Sequence, residues 1–248
     1  MIYLFTDFGV TGPYMGQMRA HIQANAPDET IVDLMVDVPA FNITTAAGLL
    51  AGLVENMPAG GVYVCVVDPG VGSNRKPICI HTQGRWFVGP DNGLFSTLMQ
   101  VDTAAVVYEI TWRPEKLSRS FHGRDLFGPV AARIAQGHTQ DIQPIARTEL
   151  ILLPLTKQKP HISYIDVYGN CWTTLRKNDV TTDQTFSLNG LMVSYGRVFA
   201  DTAVGETFWY YNSSGFVEFA INQGNCADLN KVKLGDKVLI NQGIDAHN

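Results

Sequence analysis

Six consecutive apolar residues, Val62-Tyr63-Val64-Cys65-Val66-Val67, end abruptly at Asp68-Pro69-Gly70-Val71-Gly72. A run this short that is apolar at every position suits a parallel strand covered on both faces, not an alternating half-exposed strand or a membrane helix. It demands helices packed on each side, and the flanking sequence offers them. Tyr14 to Asn25 carries Met15, Met18 and Ile22 at helical spacing, and Ile43, Ala46, Ala47, Leu50 and Val54 form one apolar stripe. Strand-like runs at Ile2–Thr6, Ile31–Val36, Ile78–His81, Trp86–Val88 and Ala104–Ile110 interleave with these helices and with further ones near Leu94–Gln100 and Leu126–Gln136. Such alternation predicts an α/β layered domain over residues 1–155.

The pattern changes near Pro154, where Lys157-Gln158-Lys159 and Pro160 read as a linker. Beyond it, His161–Val167, Leu188–Ser194, Thr207–Tyr211, Phe216–Ile221 and Lys237–Ile240 read as short strands separated by Gly, Asn and Asp clusters, with no helix among them. Residues 161–248 are therefore expected to form a smaller all-β barrel or sandwich. The expected fold class is α/β, with the β-barrel domain at the C-terminal side.

Charge narrows the function classes. The formal net charge is −5, which disfavours a nucleic-acid partner. Charged residues are only 17% of the chain, a sparse coat for a surface in water and a hint of self-association. No apolar run reaches the roughly 18 residues of a membrane span, and Asp7 breaks the apolar start too early for a signal peptide. Cys65, Cys79, Cys171 and Cys226 stand singly, so neither a zinc cage nor a disulfide framework is expected, and the plain location is the cytoplasm.

Asp7 and Asp68 each end an apolar strand, and open α/β sheets bind ligands beyond the carboxyl ends of their strands. Both are followed by glycines that let a backbone approach a ligand closely. A strand-end aspartate can also simply close a turn. Arg75 lies seven residues after Asp68, and His122 sits within Phe121-His122-Gly123-Arg124-Asp125. Singly these suit a salt-bridge partner and a loop histidine; together Asp, Arg and His can hold and polarise a water. The Gly70–Lys76 stretch lacks P-loop spacing. In the second domain, Asp166-Val167-Tyr168-Gly169-Asn170-Cys171-Trp172, Tyr211-Asn212-Ser213-Ser214-Gly215 and Asn222-Gln223-Gly224-Asn225-Cys226 gather amides, hydroxyls and aromatics. Each alone reads as a hairpin turn; together they suit a nucleobase.

Taken in order, Thr6-Asp7-Phe8-Gly9, Val67 to Gly72 with Arg75, Gly89-Pro90-Asp91-Asn92-Gly93, Phe121 to Asp125, Asp166 to Asn170, Asn212 to Gly215 and Asn222 to Asn225 resemble the S-adenosyl-L-methionine (SAM) hydroxide adenosyltransferases. These are relatives of the SAM-dependent fluorinase and chlorinase. The resemblance spans almost the whole chain. It implies hydrolysis of SAM to adenosine and methionine by attack of water at ribose C5′, with SAM as substrate and no cofactor or metal. It also implies a homotrimer with active sites at subunit interfaces.

By the same resemblance, Asp68, Arg75 and His122 orient the water, and Asp7 holds the ribose hydroxyls. Phe41 lines the pocket. Asp166 and Ser213 grip the methionine amino and carboxylate groups. Tyr168, Asn170 and Trp172 wall the adenine, and the backbone at Asn225 and Cys226 reads its edge. The relatives usually carry Phe and Ala at Tyr168 and Cys226, and the halogenating ones an arginine at Ser214. They carry an aromatic at Asp68, whose carboxylate would repel a halide, so hydrolysis is the expected branch. A SAM- or adenosine-binding protein without turnover, and a metal-dependent hydrolase built on Asp7, Asp68, Asp91 and His122, are the alternatives.

Overall fold

A computed structural model describes residues 1–154 and 159–241. The chain divides into two compact units, Met1–Pro154 and Leu155–Asn248. Leu155 at the close of the expected first domain, Lys157 and Gln158 of the expected linker, and residues 242–248 lie outside the described residues. Among the described residues no helix is long and apolar enough to cross a membrane.

The first unit contains β1 (Ile2–Thr6), α1 (Tyr14–Asn25), β2 (Ile31–Met35), α2 (Ile43–Val54), β3 (Val62–Val66), β4 (Pro77–Thr82), β5 (Arg85–Pro90), α3 (Ser96–Val101), β6 (Val106–Ile110), α4 (Gly128–Ala135) and β7 (Ile142–Ile145). The seven strands form one sheet in the order β2-β1-β3-β5-β4-β6-β7. β1 pairs in parallel with β2 and β3, and β3 with β5, whereas β4, β6 and β7 add antiparallel. Every residue of β1 and β3 is buried, as the unbroken apolar run of β3 requires. Tyr3, Tyr63 and Phe87 stack across three neighbouring strands, with centroids 4.7 and 4.9 Å apart, which pins the register.

This strand order positions the site. The chain runs from β1 through α1 to β2 on one side, then through α2 to β3 on the other. The order reverses between β1 and β3, and open sheets of this kind leave a crevice at that reversal. Thr6 is level with Val66, so Asp7 and Asp68 emerge side by side at its rim.

Both long helices begin and end where their apolar spacing implies. The Asn42 side chain caps α2 by accepting the Thr45 N–H at 3.1 Å. The expected helix 126–136 is instead a π turn at Gly123–Phe127 running into α4, with Pro129 in the first α turn. That wide turn starts immediately after His122, and such turns recur at functional sites. A Cβ on Gly123 would come within 3.1 Å of the Phe8 ring, a tight fit that glycine relieves. Edge strand β7 was not expected from the sequence; it pairs with β6 despite Pro144, which an edge tolerates.

The second unit contains β8 (Ile162–Ile165), β9 (Cys171–Arg176), β10 (Thr185–Leu188), β11 (Leu191–Val193), β12 (Thr207–Tyr211), β13 (Phe216–Ile221), the short helix α5 (Cys226–Leu229) and β14 (Leu239–Asn241). They make sheets β11-β10-β14 and β12-β13-β9-β8. Isolated bridges Tyr195–Trp209 and His161–Lys237 join the sheets at both margins, closing the strands into a barrel-like circuit. The expected strand 188–194 is in fact a hairpin that turns at Asn189-Gly190, both with positive φ (+49° and +84°), as a tight hairpin demands. Strand β9 was not anticipated, and α5 corrects the expectation of no helix.

Candidate functional site

The carboxyl ends of β1 and β3 open onto a cavity of about 350 Å³ lined by Asp7, Phe8, Phe41, Asp68 and His122 among others. Asp68 and Arg75 form a buried pair whose side chains are 4% and 6% exposed, so their contact is not diluted by water. Arg75 Nε donates to both Asp68 oxygens at 3.0 and 2.9 Å, and Nη2 donates to Oδ2. The same Nη2 lies 3.0 Å from His122 Nδ1. One guanidinium thus brings together three residues that span 54 positions of sequence (Asp68, Arg75 and His122), because its planar fork can hold two partners at once. The Arg75 guanidinium also lies 5.2 Å from the centre of the Phe127 ring, which the π turn presents.

This geometry fixes the histidine. A guanidinium only donates, so Nδ1 accepts and the ring proton resides on Nε2. Burial, and then the Arg75 charge, push the imidazole below its usual range, against smaller upward pulls from Asp68 and Asp125. His122 is therefore neutral near pH 7, with an N–H to offer the cavity.

Asp7 accepts the Phe41 N–H through Oδ2 at 3.0 Å. Burial raises its carboxyl, the Phe41 N–H opposes that, and the neighbouring Asp68 adds to it. Phe41 holds a positive φ of +62° and is 74% exposed, a strained backbone with a bare aromatic at the rim. Two motifs serve as scaffolding. Asn92 donates to the Val67 carbonyl at 2.9 Å, and a Cβ on Gly89 would fall 2.2 Å from the Cys65 carbonyl, so only glycine lets β5 lie this close to β3. Asp125 accepts the Ser118 N–H and pairs with Arg124. Asp91 accepts the Ile151 N–H at 2.9 Å and does not line the cavity. Among the described residues no group of three or more His, Cys, Asp or Glu is placed to hold a metal, so Asp7, Asp68, Asp91 and His122 do not make one.

The second unit has its own cavity, about 750 Å³, and Asp166, Tyr168, Asn170, Trp172 and Ser213 all line it. Asp166 closes the turn before β9: its Oδ1 accepts the N–H groups of Tyr168 and Asn170, each at 2.9 Å, and Oδ2 accepts Asn170 Nδ2 at 3.1 Å. Gly169 has φ +81°, and a Cβ there would strike the Asn225 amide at 2.1 Å. The Ala227 N–H also donates to the Gly169 carbonyl, locking this turn to the start of α5.

Asn225 caps α5 through the Asp228 N–H, and the Cys226 side chain is fully buried among the barrel core. From that loop it is Gln223 and Gly224 that line the cavity.

Sequence reasoning missed Glu218, which is 2% exposed yet lines the cavity. Tyr210, Glu218, Trp172 and Tyr164 are level with one another across β12, β13, β9 and β8, so they share one face. Tyr210 OH donates to Glu218 Oε1 at 2.7 Å and Asn212 Nδ2 to Oε2 at 2.9 Å. The signal was available: a lone acid inside the otherwise apolar run Phe216-Val217-Glu218-Phe219-Ala220-Ile221.

Residues 2–143 match the family model described as the SAM hydroxide adenosyltransferase N-terminal domain, and residues 160–239 match that of the C-terminal domain. The chain is 30% identical to the (R)-S-adenosyl-L-methionine hydrolase of Thermus thermophilus, over 94% of its own length and 96% of that protein. It is more distantly similar to a fluorinase of Nocardia brasiliensis, 21% identical over 98% of this chain and 97% of that one. The crystal structure of an uncharacterized conserved protein from Thermotoga maritima superimposes with a TM-score of 0.87 at 28% identity, covering 98% of this chain and all 100% of the other.

Proposed function

The chain belongs to the SAM hydroxide adenosyltransferase family, and from that membership and the Asp68–Arg75–His122 cluster we propose that it hydrolyses SAM to adenosine and L-methionine. Methionine leaves a sulfonium as a neutral thioether and needs no acid. The demanding partner is water, a weak nucleophile until a proton is drawn from it. The observation that carries the reading is Arg75 bonded at once to Asp68 and to His122 Nδ1. With Nδ1 occupied, His122 offers its Nε2–H to the water oxygen, and Asp68 is the one acceptor of the three for a water hydrogen. One donor and one acceptor fix the orientation of a single water. As the C5′–O bond forms and the C5′–S electron pair leaves with methionine, the water proton passes to Asp68 and on to solvent, while Arg75 holds both groups in place. In-line positioning of this sort is worth about 7–11 kcal/mol in favourable cases.

Asp7 is assigned to the ribose hydroxyls and Phe41 to the pocket wall. Asp166 and Ser213 are assigned to the methionine amino and carboxylate groups, and Tyr168, Asn170 and Trp172 to the adenine wall. The backbone of the Asn222–Cys226 loop is assigned to the adenine edge, with Gln223 and Gly224 nearest the cavity. A carboxylate at Asp68 disfavours a desolvated halide, which supports hydrolysis over halogenation. The proposal includes a homotrimer in the cytoplasm with active sites at subunit interfaces. Large apolar side chains bared at the rims of both cavities support it, Phe41 at 74% and Tyr168 at 73% exposure.

The test is chromatography of purified protein incubated with SAM, with and without chloride and chelator. Adenosine and methionine in equal amounts, insensitive to both additions, support the proposal. A chlorinated nucleoside reassigns the chain to halogenation. Bound SAM without product makes it a binding protein, and loss of activity on chelation makes it a metal-dependent hydrolase.

A further inference from the structure

Glu218 is a buried acid at the wall of a cavity whose described lining is acidic and carries no lysine or arginine. Its protonation pattern can be read from its neighbours. Asn212 Oδ1 accepts the N–H groups of Ser214 and Phe216, both at 3.0 Å, so the Asn212 amide cannot be flipped and Nδ2 must donate to Glu218. Oε2 is therefore an acceptor, and Oε1 takes the Tyr210 hydroxyl; burial raises the carboxyl, while these two bonds favour its charged form. Among the described residues the cavity is lined by two acids, Asp166 and Glu218, and by no lysine or arginine. A buried carboxylate without a cationic partner is costly, and the cost is relieved when a ligand brings the cation. Two neutral donors hold Glu218 in place without cancelling its charge.

We propose that Glu218 is a second carboxylate for the α-ammonium group of the substrate's amino-acid part, acting with Asp166; this rests on the SAM-hydrolase reading above. Hydrogen-bond capacity supports an ammonium in particular. A carboxylate accepts about four hydrogen bonds. Asp166 already accepts three, from Tyr168 N, Asn170 N and Asn170 Nδ2, and Glu218 accepts two. The vacant positions together match the three N–H donors of a primary ammonium. A sulfonium has no donor to place there. Trp172, level with Glu218 on β9, carries a buried indole N–H with no partner, a further polar group with room for a ligand atom.

The experiment compares two thioether ligands by calorimetry. S-adenosyl-L-homocysteine carries the ammonium and no sulfonium, and 5′-S-(3-carboxypropyl)-5′-thioadenosine lacks the ammonium. The wild-type protein should prefer the first by about tenfold or more, as expected for a charge-assisted bond. Glu218→Gln should shrink that preference about fivefold or more while leaving adenosine affinity unchanged. Gln keeps an oxygen for Asn212, and the Tyr210 hydroxyl can turn to accept, so the variant is expected to fold. Tyr210→Phe, which frees one Glu218 oxygen without removing the charge, should retain the preference. An undiminished preference in Glu218→Gln overturns the proposal and leaves Glu218 structural. A variant that weakens SAM but not S-adenosyl-L-homocysteine also overturns it, by pointing to the sulfonium. Either result leaves the hydrolase reading intact so long as the wild-type protein releases adenosine from SAM. A wild-type protein that binds neither thioether yet releases adenosine from SAM overturns this proposal alone; one that binds neither and releases no adenosine overturns both.

Discussion

Replacing Arg75 by lysine keeps the positive charge and removes the fork. Arg75 donates from Nε to both Asp68 oxygens at 3.0 and 2.9 Å, and from Nη2 to Asp68 and to His122 Nδ1 at 3.0 Å. A lysine ammonium is one point donor on a flexible stem and cannot satisfy both partners in one geometry. Asp68 is the stronger attractor, so His122 Nδ1 loses its donor and the ring is free to turn. Losing one charge-assisted hydrogen bond costs about 1.5–3 kcal/mol. If that loss is felt at the transition state, it slows turnover about 10- to 150-fold. A water displaced by about 1 Å from the attack line adds a factor of order 10². The expected fall in kcat is therefore about 10³–10⁴-fold, with the KM for SAM changed by less than about threefold because Arg75 is assigned no contact with the substrate. Folding should survive, since the buried Asp68 keeps a cation. Arg75→Met would strand that carboxylate and cost about 3–5 kcal/mol of stability. Initial rates of adenosine release against SAM concentration give both constants. A kcat within threefold of wild type would refute the bridging role of the guanidinium.

Three further outcomes are expected. His122 is held below its ordinary value of 6.5 by burial and by Arg75, so turnover should stay level from neutral pH down through 6.5 and fall only beneath it. Because the folded protein resists that proton, stability also declines as pH drops below the unfolded value of 6.5; a rate already halved at or above 6.5 contradicts the neutral assignment. His122→Ala should cut kcat by about 10²–10⁴-fold while SAM still binds, and equal turnover would remove His122 from the water site. Asp7→Asn keeps an oxygen for the Phe41 N–H but lacks the charge for the ribose hydroxyls, so adenosine affinity should weaken about tenfold by calorimetry; unchanged affinity would free Asp7 from that role.

The first unit was largely legible because its signals are local. Met15, Met18 and Ile22 repeat at helical spacing and are buried, and Val62–Val66 is apolar throughout and buried throughout. Asp7 and Asp68 could be marked as strand-end residues without knowing the sheet order. What sequence could not supply was their adjacency, which depends on β1 and β3 pairing, or the contact of Arg75 with a histidine 47 residues away. The barrel was harder. Strand β9 buries Cys171, Thr173 and Leu175, a period-two pattern weakened by a threonine whose hydroxyl is satisfied by the Val217 carbonyl. The Asn189-Gly190 turn sits inside what read as one strand, Leu188–Ser194. Cys226, whose backbone the resemblance assigns to the adenine edge, packs its side chain in the core, and Glu218, a buried acid on the cavity wall, was marked by no motif.

In the proposed reaction, water oriented by Asp68, Arg75 and His122 attacks ribose C5′. Turnover of SAM in water enriched with oxygen-18, read by mass spectrometry of both products, tests it most directly. One heavy oxygen is expected in adenosine, at the 5′ position, and none in methionine. Unlabelled adenosine, or a product cleaved at another carbon of the sulfonium, would contradict it.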